Sequence, residues 1–261
     1  MSYSSLEITT LIGCSNNCRV CPQGNLTAAL HDIVGPTMLQ FDIFRKLLST
    51  VPQHVRIDFS GFCEPLLNVN ATQMMSHAYR SNYRVALYTT LVGLREVDCH
   101  IMATMHFDHI VVHIPDKYDF MYDTEQWIKQ YRMFESMGKS ARYMSFGEVD
   151  ERIQSELSHA NTTIERPTLL SRGGNLRDIH VQHKSGPLLC GSGGDRHNVV
   201  LPNGDVYLCC MDWSLKHKLG NLLTDSYESI SSGPRVTEIA QLRVEQDNDL
   251  LCRNCEWARI L

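Results

Sequence analysis

The sequence predicts an α/β protein: a parallel sheet wound as a partial (β/α)6 barrel of the TIM type, followed by a smaller unit built on a β-hairpin. Three observations carry this expectation. Short β-patterned runs alternate with helix-patterned ones from Leu6 to Arg166, which implies βαβ units. A glycine-rich break follows Ser171, and beyond it an Asn203-Gly204 pair stands between two apolar runs. The expected division is therefore 1–170 for the barrel and 171–261 for the appended unit.

The first strand is expected from Leu6 to Ile12, followed by a looping Pro22-Gln-Gly-Asn25 segment. Phe41, Phe44, Leu47 and Leu48 recur at helical spacing until Pro52 stops the pattern. Val55, Ile57 and Phe59 alternate with Arg56 and Asp58, which reads as the second strand. A helix around Met75, Ala78 and Tyr79, a strand from Arg84 to Thr89 and a weaker helical segment from Gly93 to Met105 come next. Two further strands are expected at His109 to Ile114 and Ala141 to Phe146. Between them Trp127, Tyr131 and Phe134 share a helix face, with Asp123 as N-cap, Gln126 at the capping-box position and Gly138 closing the helix. The sixth strand falls at Thr162 to Arg166. In the second unit Asn203-Gly204 predicts a type I′ turn, whose second strand delivers Cys209.

With 261 residues, 43% apolar and 20% charged, the chain can bury one sizeable core and a small addition. Disordered and fibrous classes do not fit. A formal net charge of -5 gives no reason to expect nucleic acid as a partner. No run of about 18 apolar residues is present, and the first residues lack the basic start and apolar stretch of a signal peptide. A soluble, cytoplasmic protein without membrane contact is expected, and its ten cysteines read as metal or redox ligands rather than disulfides.

Two sets of those cysteines have ligand spacing. Cys14, Cys18 and Cys21 form C-x3-C-x2-C, three thiolates for a four-iron cluster with one iron left open. Zinc also uses C-x2-C, but zinc motifs bring a second pair about 12 to 20 residues away, and Cys14 would be left over. Cys190, Cys209, Cys252 and Cys255 make a complete set of four. Neighbours in a strand face opposite sides, so only one of Cys209 and Cys210 can readily serve. A zinc ribbon is the alternative for this quartet.

The triplet, at the top of the first strand, resembles the signature of the radical S-adenosylmethionine (radical SAM) superfamily. The resemblance implies an open iron that chelates the amino and carboxylate groups of SAM, and one electron that cleaves it to a 5′-deoxyadenosyl radical. Val20 departs from the family, which usually places an aromatic near the adenine. Ser60-Gly-Phe-Cys-Glu-Pro-Leu-Leu67 resembles the family's Gly-Gly-Glu-Pro segment, implying that Gly61, Phe62, Cys63 and Glu64 hold the SAM amino group. The physical need is plain, since an ammonium must be located by acceptors and glycine lets a backbone carbonyl approach. Tyr88-Thr-Thr-Leu-Val-Gly93 stands where relatives show Thr-Asn-Gly, which implies that Thr89 and Thr90 face SAM. His113 stands where relatives place a cofactor-contacting serine; a lone histidine is more often a rim residue.

From Ser171 onward the hairpin turn, the order of the four cysteines and Gly220-Asn-Leu222 resemble the twitch domain, a shortened SPASM extension. That implies Cys209 as the hairpin ligand and two 4Fe-4S clusters in all. A cluster with four thiolates has no iron free for substrate, so electron transfer is its implied task. In size and layout the chain resembles the 2-deoxy-scyllo-inosamine dehydrogenases. The implied reaction removes hydrogen from a small hydroxylated substrate (a cyclitol, sugar or sugar derivative) and leaves a ketone, with a flavodoxin or ferredoxin as reducing partner. The small-molecule class leads because no segment is devoted to gripping a leader peptide. Arg172 is the candidate catalytic residue, through hydrogen bonding or charge, because arginine rarely gives up a proton; a domain-junction salt bridge is its structural alternative. Other readings are an epimerase that uses Cys63, Cys99 or Cys210 as hydrogen donor, a peptide- or protein-modifying maturase, and a zinc-binding adaptor without catalysis.

Overall fold

Alternation along each strand decides which side chains meet the helices and which meet the lumen. The computed structural model describes residues 4–16, 18–30, 35, 37–118, 123–159, 162–193 and 196–261. Asn17 in the triplet and Gly194-Asp195 in the glycine-rich run lie outside the described residues. Strands β1 (Ser5–Ile8), β2 (Arg56–Phe59), β3 (Val85–Thr89), β4 (His109–His113), β5 (Arg142–Met144) and β6 (Ile164–Glu165) lie side by side in chain order. Every neighbouring pair is parallel. Helices α1 (Gln23–Leu30), α2 (Phe41–Leu48), α3 (Ala71–Arg80), α4 (Glu96–Ala103), α5 (Thr124–Glu135) and α6 (Glu151–His159) occupy the connections. This is the partial α/β barrel that the sequence predicts.

Leu6, Ile8, Ile57, Phe59, Val85, Leu87, Ile110 and Val112 pack outward against Phe44, Leu47, Met74, Met75, Trp127 and Phe134 in one apolar core. Each such side chain contributes on the order of 1.5 to 3 kcal/mol by leaving water. The intervening positions, Glu7, Asp58, Tyr88, His113 and Met144 among them, line the lumen. A parallel sheet buried on both faces reads as continuous apolar runs. Here the alternation with charge marks a lumen that holds polar contents.

Several expectations are corrected. Pro22-Gln-Gly-Asn25 is the start of α1 rather than a loop: the Asn25 and Leu26 amides donate to the Pro22 carbonyl at 3.0 and 3.3 Å. Proline needs no amide partner at a helix start, and burial of Leu26 against Phe62 and Trp213 outweighs the low helix propensity of Gly24 and Asn25. The first strand stops at Ile8 rather than Ile12, because the Thr9 amide still reaches Val200 while the Thr10 carbonyl turns to accept from Leu39. The hairpin turn is not type I′. The Gly204 amide donates to Leu201, and the Leu201 amide donates to Asp205, each at 2.9 Å, and Gly204 has φ +88 while Asn203 has no positive φ. Pro202 is the reason: it lacks the N–H that a two-residue turn would need opposite Asp205, and its fixed φ suits the second position of a type I turn.

The hairpin also joins the barrel sheet. Its strands β8 (His197–Val200) and β9 (Asp205–Tyr207) are antiparallel, but β8 lies parallel beside β1, and β10 (Lys218–Asn221) continues the same sheet beyond β9. A separate pair, β7 (Leu188–Cys190) and β11 (Ala258–Ile260), closes the far side antiparallel. Between them run α7 (Tyr227–Ser231), α8 (Pro234–Val244) and a 3-10 turn at Leu251–Asn254. Among the described residues, no helix is long and apolar enough to cross a membrane.

Candidate active site

Cys14, Cys18 and Cys21 line one cavity of about 670 Å³ together with Cys190, Cys209, Cys252 and Cys255. All seven thiols are free of disulfides. Gly13, at φ +79, turns the chain out of the strand region, and the Cys21 amide donates back to the Cys18 carbonyl at 3.0 Å to form the triplet loop. Arg19 ties this loop to Asp116 beyond β4, where Gly147 leaves no room for a β-carbon. The Glu64 amide donates to Cys14 Sγ at 3.4 Å, and burial pushes the Cys14 thiol up.

The cysteines surround space rather than converge on a point: among the described residues, no three His, Cys, Asp or Glu side chains are gathered as a single metal ion requires. Zinc holds its sulfurs at about 2.3 Å from one centre, whereas a four-iron cube needs them set apart around a larger body. The cavity also presents buried polar atoms without a protein partner, namely Gln23 Oε1, Arg172 Nε and Trp213 Nε1. Thiolate donors around a void and unsatisfied polar atoms beside it fit an iron-sulfur cluster and a polar ligand.

The Ser60–Leu67 segment is fixed by β1 and β3. Gly61 has φ +59, and a β-carbon there would fall 2.8 Å from the Thr9 backbone, so the close approach that requires glycine is to the protein's own first strand. The Phe62 amide donates to Thr9 Oγ1 at 3.2 Å, and the Phe62 carbonyl accepts from Gln23. Glu64 is buried and accepts four hydrogen bonds. Its Oε1 takes the Leu66 amide at 3.0 Å and the Thr89 hydroxyl at 2.7 Å; its Oε2 takes the Thr90 amide at 2.5 Å and the Thr90 hydroxyl at 2.6 Å. A carboxylate has about four such acceptor positions. Glu64 therefore locks the end of β3 to the turn after β2, and Thr89 and Thr90 are held by it. Burial raises its pKa and these hydrogen bonds oppose the rise.

A second polar group lies deeper in the lumen. Glu7 on β1, in register with Asp58 on β2, accepts from Ser60 Oγ at 3.0 Å. Burial first, and then Asp58, raises its pKa from 4.5 to about 7. His113 is pushed down to about 4 by burial and by the positive Arg172. Arg172 itself stands in the left-handed region at φ +57 with its guanidinium 5.7 Å from the Phe146 ring. It lines the cavity and forms none of the ion pairs found among the described residues, which leaves the junction salt bridge unformed. Of the spare thiols, Cys63 lines the cavity with its pKa pushed to about 12 by burial. Cys99 packs in the helix layer and donates to the Met133 carbonyl at 3.8 Å.

Strand alternation past β9 splits the adjacent cysteines. Cys209 faces Cys252 and Cys255, whereas Cys210 faces Glu7 and Arg172, and burial pushes both thiols well up. Cys190, at the end of β7, pairs with Ala258 of β11. Arg253, between the last two ligand-spaced cysteines, is fully buried. Its guanidinium donates to the Gly186, Glu245, Lys184 and Leu242 carbonyls at 2.6 to 3.1 Å. It also donates to Asn248 Oδ1 at 3.2 Å, so one side chain pins the C-x2-C turn to the end of α8.

Residues 190–256 match SPASM, described as an iron-sulfur cluster-binding domain. Among solved structures, the chain is similar to BtrN in complex with AdoMet and 2-DOIA, with TM-score 0.68 and 18% identity over 98% of this chain and 94% of that one. The chain has the radical SAM fold with a SPASM-type cluster domain. Streptococcus suis SuiB bound to precursor peptide SuiA gives TM-score 0.66 at 12% identity, covering 97% of this chain and 69% of that one. The sulfatase-maturase-like anSMEcpe with bound AdoMet gives 0.61 at 13% identity, over 98% of this chain and 84% of that one. No curated protein sequence matches this chain. These relatives were solved with a small molecule in one case and a peptide in another.

Sequence reasoning had singled out every cysteine of the cavity but missed Glu7, Trp213 and Gln23. The available signal for Glu7 was a lone carboxylate between Leu6 and Ile8 in a run otherwise buried. Nothing local marked Trp213, which reaches the cavity only because β8 docks beside β1.

Proposed function

We propose that this protein is a radical SAM oxidoreductase that oxidises a hydroxyl-bearing carbon of a small polyhydroxylated molecule, a cyclitol, sugar or sugar derivative, to a ketone. The supporting observation is that a three-cysteine and a four-cysteine set line a single cavity whose walls also carry carboxylate, guanidinium and indole groups. Reductive cleavage of bound SAM supplies the hydrogen-abstracting group, and an auxiliary cluster supplies a sink for the second electron. Cys14, Cys18 and Cys21 would hold the first cluster. Cys190, Cys209, Cys252 and Cys255 would hold the second. The Gly61–Cys63 backbone edge would receive the SAM ammonium, with Glu64 as its anchor and Thr89, Thr90 and His113 on the flanks. Arg172 offers its free Nε to a substrate oxygen.

Anaerobic reconstitution should load about eight irons per chain, and reduction with SAM should release 5′-deoxyadenosine. Replacing Cys14, Cys18 or Cys21 by alanine should abolish that release. Replacing Cys252 or Cys255 should leave it partly intact while ketone formation stops. Untouched ketone formation in the last two variants would remove the electron-acceptor role.

A second reading, a redox-neutral epimerase, is favoured by one contact: the Cys210 thiol faces the cavity beside Glu7. It predicts solvent deuterium at a substrate carbon and loss of that label in Cys210→Ala, neither of which a dehydrogenase gives.

A further inference from the structure

Four carboxylates line the cavity, and three of them are already engaged. Both branches of the Arg56 guanidinium hold Asp58, at 2.6 and 2.8 Å, Arg19 pairs with Asp116, and four donors close Glu64. Glu7 differs. Its partners are the Ser60 hydroxyl, the Gly61 amide and the Cys210 thiol, all neutral, and among the described residues no cation pairs with it. Part of its side chain opens to the cavity while the barrel seals it from bulk water.

We propose that Glu7 is the proton acceptor for the substrate hydroxyl in the oxidation proposed above, a reading on which this inference rests. Its place in the fold supports the role. β1 lies between β2 and β8, so Glu7 stands between the strand that leads to the Cys14–Cys21 loop and the hairpin that carries Cys209. A substrate carbon between the two cysteine sets has Glu7 beneath it. The ionisable groups facing Glu7 are Asp58 with its partner Arg56 from β2, Tyr88 from β3 and Cys210 beyond β9; its register partner on β8 is the apolar Val199.

The other cavity groups are poor acceptors. Arg172 has no acceptor atom. His113 at about 4 binds a proton weakly, and Tyr88 and Cys63, both at about 12, hold theirs at neutral pH. Glu7 at about 7 populates both forms there, as an efficient general base does. The step balances. The carbon gives one hydrogen atom to the adenosyl group derived from SAM and one electron to the auxiliary cluster, the hydroxyl gives its proton to the Glu7 carboxylate, and the C–O single bond becomes a carbonyl.

Two measurements on the anaerobic holoprotein test this. Infrared titration should show one buried carboxyl losing its protonated stretch near neutral pH in wild type and no such band in Glu7→Gln; its absence from wild type overturns the proposal. The second uses a panel of cyclitols, aminocyclitols and hexoses deuterated at the hydroxyl-bearing carbons. Glu7→Gln should keep deuterium transfer into 5′-deoxyadenosine within about twofold of wild type while ketone falls about 100-fold or more. The wild-type ketone rate should rise with pH through the infrared midpoint. Ketone formation by Glu7→Gln within a few fold of wild type would sink the base alone. No ketone from any panel member with wild-type enzyme would sink the parent oxidation reading, and this inference with it.

Discussion

Replacing Glu64 by alanine should destabilise the protein by about 4 kcal/mol. The carboxylate receives the Leu66 and Thr90 amides and the Thr89 and Thr90 hydroxyls, all in the buried junction between β2 and β3. Each buried donor left without a partner costs about 1 to 3 kcal/mol. The two amides cannot turn elsewhere, whereas the hydroxyls can partly re-bond, which places the total near 4 kcal/mol. The Thr89 hydroxyl also accepts the Leu91 amide at 2.8 Å, and Leu91 has φ +67, a conformation that persists only when its surroundings enforce it. Glu64→Gln keeps the shape and one acceptor oxygen but turns an NH2 toward an amide donor, for a loss of about 2 kcal/mol. Anaerobic urea unfolding should show the midpoint of Glu64→Ala lowered by about 1.5 to 2 M and that of Glu64→Gln by about half as much. If Glu64→Ala unfolded within about 0.5 kcal/mol of wild type, the network would not hold this junction together and its anchoring role would be wrong.

Three further outcomes are expected. Glu7 has its folded-state pKa raised from 4.5 to about 7, so its contribution favours the fold at low pH and is lost as pH rises between those values. Urea midpoints should therefore show Glu7→Gln gaining up to about 3 kcal/mol on wild type between pH 5 and pH 8, and a constant difference would contradict the raised pKa. Arg253→Ala should lower stability by about 3 to 5 kcal/mol in thermal melts, because it strands four buried carbonyls, and Arg253→Lys should recover only part of this. Iron analysis after reconstitution should give about four irons per chain for Cys209→Ala and about eight for Cys210→Ala; the opposite pattern would reverse their facing.

The sequence by itself determined the order of strands and helices, because each strand's two-residue apolar alternation and each helix's buried stripe are local signals. It also determined which cysteines are ligand-spaced, since C-x3-C-x2-C and C-x2-C place their thiols within a few residues of each other. Tertiary structure alone decided that β8 docks parallel beside β1. That pairing brings Cys209 and Trp213 to the cavity and turns Cys210 toward Glu7, across nearly two hundred residues of chain that no local pattern spans. It also decided that Gly61 is required by Thr9, that Pro202 rather than Asn203 sets the turn, and that Glu64 spends its acceptors on Leu66, Thr89 and Thr90. The roles of Glu7 and Arg253 were hidden for the same reason: a carboxylate's proton affinity and a guanidinium's burial depend on partners gathered from distant strands, and only the folded chain supplies them.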